Sequence, residues 1–511
     1  MRRTNNDIIR HIEELTLENE RLVGENKKLR AENREIRAEN ERLRKRIEVI
    51  ETTMEEGLKK AVEEAARKAT EPLIAVIAEK DKEILRLKTQ LEKDSSNSSK
   101  PSGGNGFKKV PNNREKSEKK QGGQYGHKGF RLNIPENLEE LVECGKAEHK
   151  IISEVSDGEP YVSDWIIDLK VVTVFTEHRR KPGNPPKIEY GTQLKVIAVY
   201  LCVVGLIAVK RLAQFFREIT CGLIPVSKAA VAEFTHSAAY SVDLSNNVQD
   251  LLNGKVINVD ETPINTSERP NAEGALETAE KTTFNAYIRT YSNKMTTVLT
   301  ASPNKTEESV IADNILTQFH GIVSQDHEAK FYNFGNANST CGAHLTRELK
   351  GLSELYLLTW AAEVRELFLE MNNHKNNDVH NGKTQCEPLL LRTFESRYNE
   401  LLQAGKSRLL AMPPKSFGYD ELRRMINRLD KFKDNYLLFI RNYEAPFTNN
   451  QAERDLRHCK TKQKISGCFR SWQGVLDYCF IHSSLYTAKK RGENLFDNLF
   501  FLCSQPSPSG L

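Results

Sequence analysis

The sequence lacks the features that mark membrane proteins and secreted proteins. No apolar core follows Met1, and the longest apolar run, residues 196–209, is too short to span a bilayer comfortably. The nine cysteines are scattered and form no C-x-x-C pair, which argues against a disulfide framework and fits a reducing compartment. These absences predict a cytoplasmic protein with no membrane segment.

The composition suits a multidomain protein with extended polar parts. Hydrophobic residues make up 38% of the 511 residues and charged residues 28%, which leaves room for about two to four domains. The net charge of +5 is modest, but the basic residues cluster in particular segments.

A heptad repeat dominates the N-terminal part. One core position is apolar throughout (Ile8, Leu15, Leu22, Leu29, Ile36, Leu43 and Ile50), and the other holds four asparagines in succession (Asn19, Asn26, Asn33 and Asn40). This pattern predicts a coiled coil over residues 1–93, which Pro72 interrupts. Because paired asparagines fix the register of a two-stranded seam, we expect a parallel homodimer or a higher oligomer; the alternative is a single solvated helix.

Residues 94–131 form a basic linker rich in Ser and Gly. Nine Lys and Arg residues lie between Lys100 and Arg131, against two Glu. Such a segment attracts phosphate without reading sequence, so we expect it to contact DNA; the alternative is a linker that only confers solubility. The predicted DNA contacts are Lys108, Lys109, Lys119, Lys120, His127 and Lys128.

Two small units are predicted between the linker and residue 250. Residues 132–190 read as a β-rich module, because residues 165–175 have strand composition. Residues 191–250 read as helices, and Ser227 is predicted to cap one that resembles the second helix of a helix-turn-helix. A plain helical packing domain is the alternative.

Two short apolar segments beyond residue 250 each end in an acid. Residues 255–260 predict a buried strand that ends at Asp260, and residues 321–326 predict one that ends at Asp326. Two further strands and an amphipathic helix at 306–319 separate them. Hairpin strands followed by a helical crossover predict a mixed α/β sheet.

The rest of the C-terminal half reads as helical. Residues 340–440 form a large helical insertion with an Asn-rich break near 372–384. The sheet domain is therefore predicted over 251–339 and 441–490, and residues 491–511 as a C-terminal helix and tail.

Acids at the carboxyl ends of strands project into the crevice where α/β sheets bind ligands. Two carboxylates brought close repel each other unless a cation lies between them. Such oxygen-rich sites suit Mg²⁺ or Mn²⁺, and a pair of these ions can activate a hydroxyl and stabilise a leaving oxygen. Spacing alone, however, favours the interpretation of Asp260 and Asp326 as ordinary strand-end acids.

A third acid, Glu453, opens a basic helix. Asn450 and Glu453 match a capping box, which gives Glu453 a structural interpretation. Positions 453, 457, 460 and 464 lie on one helical face and read Glu, Arg, Lys, Lys, which suits a metal ligand beside a phosphate backbone. The predicted DNA contacts on this helix are Arg454, Arg457, Lys460 and Lys464.

The segment Cys341-Gly-Ala-His344-Leu-Thr-Arg347 carries another group of reactive side chains. A Cys and a His three residues apart could be half of a zinc site, but no second half is evident nearby in the sequence. A nucleophilic Cys-His pair lacks a partner Asp or Asn. The prediction is a structural role or a DNA-binding role for His344 and Arg347 on a helix.

These motifs together resemble the transposases of the insertion sequence 66 family, over nearly the whole chain. The motifs that carry the resemblance are Gly-Gly-Gln-Tyr-Gly-His-Lys-Gly, Val259-Asp-Glu-Thr-Pro263, Cys341-Gly-Ala-His-Leu-Thr-Arg347 and Asn449-Asn-Gln-Ala-Glu-Arg454. The resemblance implies a multidomain chain with an RNase H-like catalytic core. It also implies that Asp260, Asp326 and Glu453 are the catalytic triad and the ligands of two Mg²⁺ or Mn²⁺ ions.

The resemblance further implies metal-dependent cleavage of double-stranded DNA at transposon ends, and transfer of the 3′-hydroxyl strand to target DNA. Accessory proteins of the same element are potential partners, and the location would be the bacterial cytoplasm, at the nucleoid. The alternative function is that of an inactive or domesticated copy, a dimeric DNA-binding protein.

The module at 132–190 departs from the family pattern. Relatives carry cysteine pairs there that form a zinc-finger-like unit, whereas this chain retains only Cys144. A single thiolate cannot supply a tetrahedral site, so the sequence argues against zinc and predicts a degenerate module.

Overall fold

The computed structural model describes residues 133–506 apart from 153–158, 161, 180, 182–186, 272 and 280–282, together with parts of 18–42 and of 76–98. The described residues within 18–42 and 76–92 are helical. Most heptad core positions and the whole basic stretch from residue 99 to 132 lie outside the described residues. The coiled coil, its dimer and the DNA contacts of the linker therefore stay predictions.

The segment between residues 133 and 190 contains one short helix, α1 (Leu138–Glu143), and its described residues form no strand. The predicted strand at 165–175 is therefore wrong. Its backbone finds no pairing partner in the described chain, and apolar side chains such as Ile166 and Leu169 remain exposed.

Four helices follow: α2 (Thr192–Val203), α3 (Val209–Ile219), α4 (Lys228–Tyr240) and α5 (Ser245–Leu252). Ser227 caps α4 as predicted, because its side chain accepts the amide hydrogen of Ala230 at 3.0 Å. Residues 220–227 separate α3 from α4, a longer connection than the roughly three to four residues of a helix-turn-helix. Apolar side chains of α2, α3 and α4 share one core with the C-terminal helices.

A five-stranded mixed sheet lies at the centre of the C-terminal half. Its strands are β1 (Val256–Thr266), β4 (Phe284–Ser292), β5 (Thr297–Ser302), β6 (Ile322–Gln325) and β7 (Ala337–Thr340). The order is β5-β4-β1-β6-β7, with β5, β4 and β1 antiparallel and β1, β6 and β7 parallel. The prediction of a mixed α/β sheet is confirmed. Two short strands, β2 (Glu268–Pro270) and β3 (Leu276–Thr278), pair separately.

The first sheet strand differs from its predicted length. β1 does not end at Asp260 but continues to Thr266, because β4 remains paired with it along its whole length. Asp260 therefore lies in the middle of a strand. Its parallel neighbour β6 is shorter and ends just before Asp326, as predicted.

The crossover helix is shorter than the predicted 306–319. Helix α6 (Glu307–Ala312) ends where Asp313 turns its carboxylate toward Arg289 and Thr300. The next residue, Asn314, has a φ of 54°, which no α-helix can continue. A tertiary contact thus ends a segment whose periodicity favours a longer helix.

Five helices follow β7: α7 (Gly342–Leu355), α8 (Thr359–His380), α9 (Pro388–Ala411), α10 (Tyr419–Lys431) and α11 (Lys433–Arg441). The break predicted near 372–384 lies farther along the chain, at 381–387, since α8 continues to His380. Lys375 donates to the carbonyl of Ala445, and Asp378 accepts a hydrogen bond from Tyr443. These buried contacts outweigh the weak helix propensity of the asparagines.

Three helices complete the chain: α12 (Asn450–Ser466), α13 (Trp472–Lys490) and α14 (Leu495–Ser504). The predicted C-terminal helix is confirmed by α14. Side chains of α12 and α13 cover one face of the sheet in a core that includes Ile264, Ile288 and Leu456. Among the described residues, no helix combines the length and the apolar character needed to cross a membrane.

Candidate active site

The pleat and the register of the sheet bring two acids together. Asn258 of β1 pairs with Ser324 of β6, two residues before Asp260 and two residues before Asp326. Because alternate residues of a strand share a face, both acids project from the same face at adjacent positions. This is the face that α12 covers.

Glu453 comes to this site from the first turn of α12. The alternative interpretation of Asn450 and Glu453 as a capping box does not hold, because the helix begins at Asn450 and its N-cap is Asn449. The buried Asn449 side chain donates instead to the carbonyl of Val259, at 2.8 Å. This bond joins the start of α12 to the strand beside Asp260, and the Glu453 carboxylate makes no capping bond.

The three acids influence one another electrostatically. Burial, followed by repulsion from Asp326 and to a smaller extent from Glu453, raises the pKa of Asp260 to about 7. The amide of Glu261 and the ammonium of Lys460 only partly oppose this rise. Three carboxylates in one half-buried site therefore carry a cost that a bound cation would remove.

His344 and Arg347 of α7 lie against these acids. His344 Nδ1 is 3.4 Å from Asp326 Oδ1, and His344 Nε2 is 3.6 Å from Glu453 Oε1. Arg347 approaches Glu453 Oε1 at 3.6 Å. Burial by itself lowers the pKa of His344, but the neighbouring Asp326 carboxylate and Cys341 sulfur favour the protonated ring more strongly and raise the pKa to about 11.

Cys341 lies at the N-cap of α7, and only 1% of its surface is exposed. The Asn449 amide donates to its sulfur at 3.2 Å. The ligand atoms of Asp326, Cys341 and His344 lie within 4.8 Å of one another. The sequence offered no sign that Asp326 would be the neighbour of the Cys-His pair, because the residues that separate them include a whole strand.

A buried charged network lies behind Asp260, on the opposite face of the sheet. Glu261 forms ion pairs with Arg289 and with Lys330, and Arg289 also binds Asp313. Arg289 is 1% exposed, and its Nε donates to Glu261 at 2.6 Å. Sequence reasoning missed this network, whose signal was an arginine within an otherwise uncharged strand.

The remaining predicted DNA contacts fall into two groups. Arg454, Arg457, Lys460 and Lys464 are exposed along α12. Arg454 is held by the Asn450 carbonyl at 3.3 Å and by Gln451 at 3.0 Å, and Lys460 is close enough to Asp260 to lower the pKa of that carboxyl. The second group comprises the six linker residues Lys108, Lys109, Lys119, Lys120, His127 and Lys128, all outside the described residues.

Gly342 allows the start of α7 to pack closely against Phe447, in the segment that leads into α12. A Cβ at this position would lie 2.2 Å from the Phe447 ring, and the Gly342 amide donates to the Phe447 carbonyl at 2.7 Å. We expect Gly342→Ala to displace the segment that leads into α12 and to cost about 1–3 kcal/mol of unfolding free energy in urea titrations. Gly191→Ala is the matched control, because nothing lies within 4 Å of its Cβ position. Equal stability of the two variants would contradict this close packing.

Comparison with known proteins identifies the family. The sequence profile described as "Transposase IS66 family" matches residues 188–476, more than half of the chain and all of the sheet. A protein of Sinorhizobium fredii (strain NBRC 101917 / NGR234), named "Uncharacterized protein y4jO", is 35% identical over 75 residues, which are 15% of this chain and 23% of that protein. The chain thus spans less than a quarter of the length of this curated relative. On the family match, the chain belongs to the IS66 family of transposases.

Proposed function

We propose that this transposase cleaves DNA at the ends of an insertion sequence and joins the freed 3′-hydroxyl to target DNA, with Asp260, Asp326 and Glu453 as its catalytic carboxylates. The observation that carries the proposal is the convergence of three acids from β1, from the end of β6 and from α12. Folding brings these like charges together at a cost, which a role in binding cations explains. The mixed sheet supports the RNase H-like core that the family resemblance implies.

The residues at this site fit divalent cations. Asp326 Oδ1 is buried and has no hydrogen-bond partner among the described residues. An orphaned carboxylate oxygen beside a carboxyl whose pKa is raised is a position that a cation would satisfy. Asp260, Asp326 and Glu453 would hold two Mg²⁺ or Mn²⁺ ions, which would polarise the scissile phosphate and lower the pKa of the attacking hydroxyl.

The surrounding residues orient the acids and the substrate. Arg347 and His344 both approach Glu453 Oε1 and restrict the rotation of its carboxylate. Asn449 fixes the start of α12 against β1, so that Glu453 and Asp260 keep their separation. The exposed basic residues of α12 then offer charges to the phosphates on both sides of the cleaved bond.

Two phosphoryl transfers would take place at the same carboxylates. Water attacks the phosphodiester first, and the 3′-hydroxyl that is released attacks the target strand second. Both reactions need positioned oxygens and neutralised charge, and neither needs a covalent enzyme intermediate. Asp260 would bind a cation as the charged carboxylate.

The rest of the chain would serve assembly and DNA capture. The predicted coiled coil would pair two protomers, which suits the pairing of two transposon ends, and the basic linker would hold the DNA backbone. The module at 132–190 would act without zinc. Accessory proteins of the same element, and action at the nucleoid in the bacterial cytoplasm, belong to this proposal as well.

The test uses the purified full chain and labelled DNA that carries the ends of the element. We expect nicking and strand joining in Mg²⁺ or Mn²⁺, and neither product in Ca²⁺ or after chelation. Glu453→Gln should lower both rates by about a hundredfold or more, since it removes a charged ligand at the reacting centre. Glu444→Gln, an exposed surface acid paired with Lys255, is the matched control.

The outcomes separate the alternatives. Nicking without joining of a precleaved 3′-hydroxyl end would indicate a nuclease. DNA binding without either product, by the wild type in both metals, would favour an inactive copy that acts as a dimeric DNA-binding protein.

A further inference from the structure

A second set of potential metal ligands shares one residue with the three candidate carboxylates. β6 and β7 are parallel, with Gln325 opposite Thr340, and the Cys341 amide donates to the Gln325 carbonyl at 2.9 Å. This register places Asp326 beside Cys341. The first turn of α7 then carries His344 to the same point, so that an oxygen, a sulfur and a nitrogen lie within 4.8 Å of one another.

We propose that Asp326, Cys341 and His344 form a zinc site that shares Asp326 with the catalytic carboxylates, so that bound Zn²⁺ excludes the catalytic Mg²⁺. The zinc site itself is independent of the proposed function, whereas the competition rests on it. The sequence showed only half of such a site; the other half is Asp326, from the neighbouring strand.

The chemistry of the donors favours zinc over magnesium. A thiolate and an imidazole are ligands that Zn²⁺ prefers, whereas Mg²⁺ takes oxygen ligands and retains its waters. Three protein ligands leave a fourth tetrahedral position for water or for a phosphate oxygen. Asp260 and Glu453 are not members of the cluster, whose ligand atoms all lie within 4.8 Å of one another.

The atoms around the three side chains are arranged like the hydrogen-bond partners that surround the ligands of a bound metal. His344 Nδ1 faces Asp326 at 3.4 Å, and neither this nitrogen nor Asp326 Oδ1 has a hydrogen-bond partner among the described residues. The other ring nitrogen, Nε2, faces Glu453 at 3.6 Å. A histidine that binds a metal through one nitrogen usually donates from the other to a carboxylate or carbonyl. The Asn449 amide, 3.2 Å from the Cys341 sulfur, would stabilise a thiolate.

The shared acid gives the site a consequence for activity. When Asp326 binds zinc with Cys341 and His344, its carboxylate is no longer available between Asp260 and Glu453. Glu453 is also drawn toward His344 Nε2. Zinc would therefore hold the enzyme in a state that still binds DNA and does not cut it.

Zinc binding is measured first, by equilibrium dialysis of the chelator-treated full chain followed by atomic emission. We expect a tightly bound equivalent of zinc in the wild type that Cys341→Ser and His344→Gln lose. Cys386→Ser is the control, since it also removes a buried thiol but lies outside the cluster of Asp326, Cys341 and His344. Substitution with Co²⁺ should give a thiolate charge-transfer band that Cys341→Ser abolishes. Circular dichroism and the melting temperature establish that each variant is folded.

Competition is measured second, by adding zinc to the Mg²⁺-dependent nicking reaction. Inhibition of the wild type should require at least about tenfold less zinc than inhibition of Cys341→Ser. A folded Cys341→Ser protein that binds zinc and cobalt as the wild type does would overturn the zinc site. A wild type that binds zinc through Cys341 but never cuts DNA in Mg²⁺ would instead overturn the proposed function and leave the zinc site standing.

Discussion

Asp260→Asn protein is expected to bind transposon-end DNA at least as tightly as the wild type and to nick it about a thousandfold more slowly. The substitution keeps the shape of the side chain and removes the charge that would bind a cation. A loss of several kcal/mol of charge stabilisation corresponds to about three factors of ten at about 1.4 kcal/mol each. Binding does not weaken, because the lost charge repels phosphate.

The measurement pairs a gel-shift titration with single-turnover nicking in Mg²⁺. Asp420→Asn is the matched control, because Asp420 is an exposed acid on α10 whose ion pair with Arg423 lies at the surface. Wild-type nicking by Asp260→Asn would remove this carboxylate from the mechanism. Loss of both binding and nicking would point instead to damage of the fold.

The same variant should change the pH dependence of stability in the absence of metal. The pKa of Asp260 is about 7 in the folded protein, against 3.8 for the unfolded group, so the folded state binds the proton more tightly. Stability therefore falls as pH rises from about 4 to about 7, and the wild type loses stability there that Asp260→Asn retains. Melting temperatures at a series of pH values test this. Added Mg²⁺ should restore the wild type above pH 7, because it binds only the folded state.

The second large effect is expected at Arg289. Arg289→Met should lower the free energy of unfolding by about 3–5 kcal/mol, because it leaves the buried carboxylates of Glu261 and Asp313 without their shared cation. Lys330 still pairs with Glu261, but among the described residues it forms no ion pair with Asp313. Urea denaturation measures the loss.

The matched control for this variant is Arg423→Met. Arg423 pairs with Asp420 while both side chains are more than half exposed, and such surface pairs contribute at most about 1 kcal/mol. If the two variants lost equal stability, the network around Arg289 would not be a buried electrostatic support of β1. A large loss for Arg289→Met alone would mean that the strand carrying Asp260 depends on this arginine.

Several local features were predictable from the sequence because local patterns determine them. The strand before Asp326, the Ser227 cap and the C-terminal helix α14 are each specified by a few neighbouring residues. Family motifs added the three acids as a set. Where local patterns competed with distant contacts, the predictions were wrong: β1 extends because β4 pairs with it, and α8 continues because Lys375 and Asp378 are bound.

Glu453 is a second example, within the candidate site, of a local sequence pattern that a distant contact overrides. The local pattern Asn-x-x-Glu was a valid capping box, yet Asn449 took the N-cap position because its side chain bonds to Val259, far away in the chain. No periodicity in α12 could reveal that bond. The structure therefore excludes the capping alternative for Glu453 and places its carboxylate 3.6 Å from His344 Nε2.

The sequence by itself determined the acids, the type of most elements around them and the family to which the chain belongs. These properties reside in short segments, where propensity, capping and motif identity act over a few residues. Tertiary structure decided which side chains meet: Asp260 with Asp326 through parallel register, and Asp326 with Cys341 and His344 through the next strand. These contacts depend on pairing between strands that are distant in the sequence. Burial of the whole sheet supplies the free energy that stabilises this pairing.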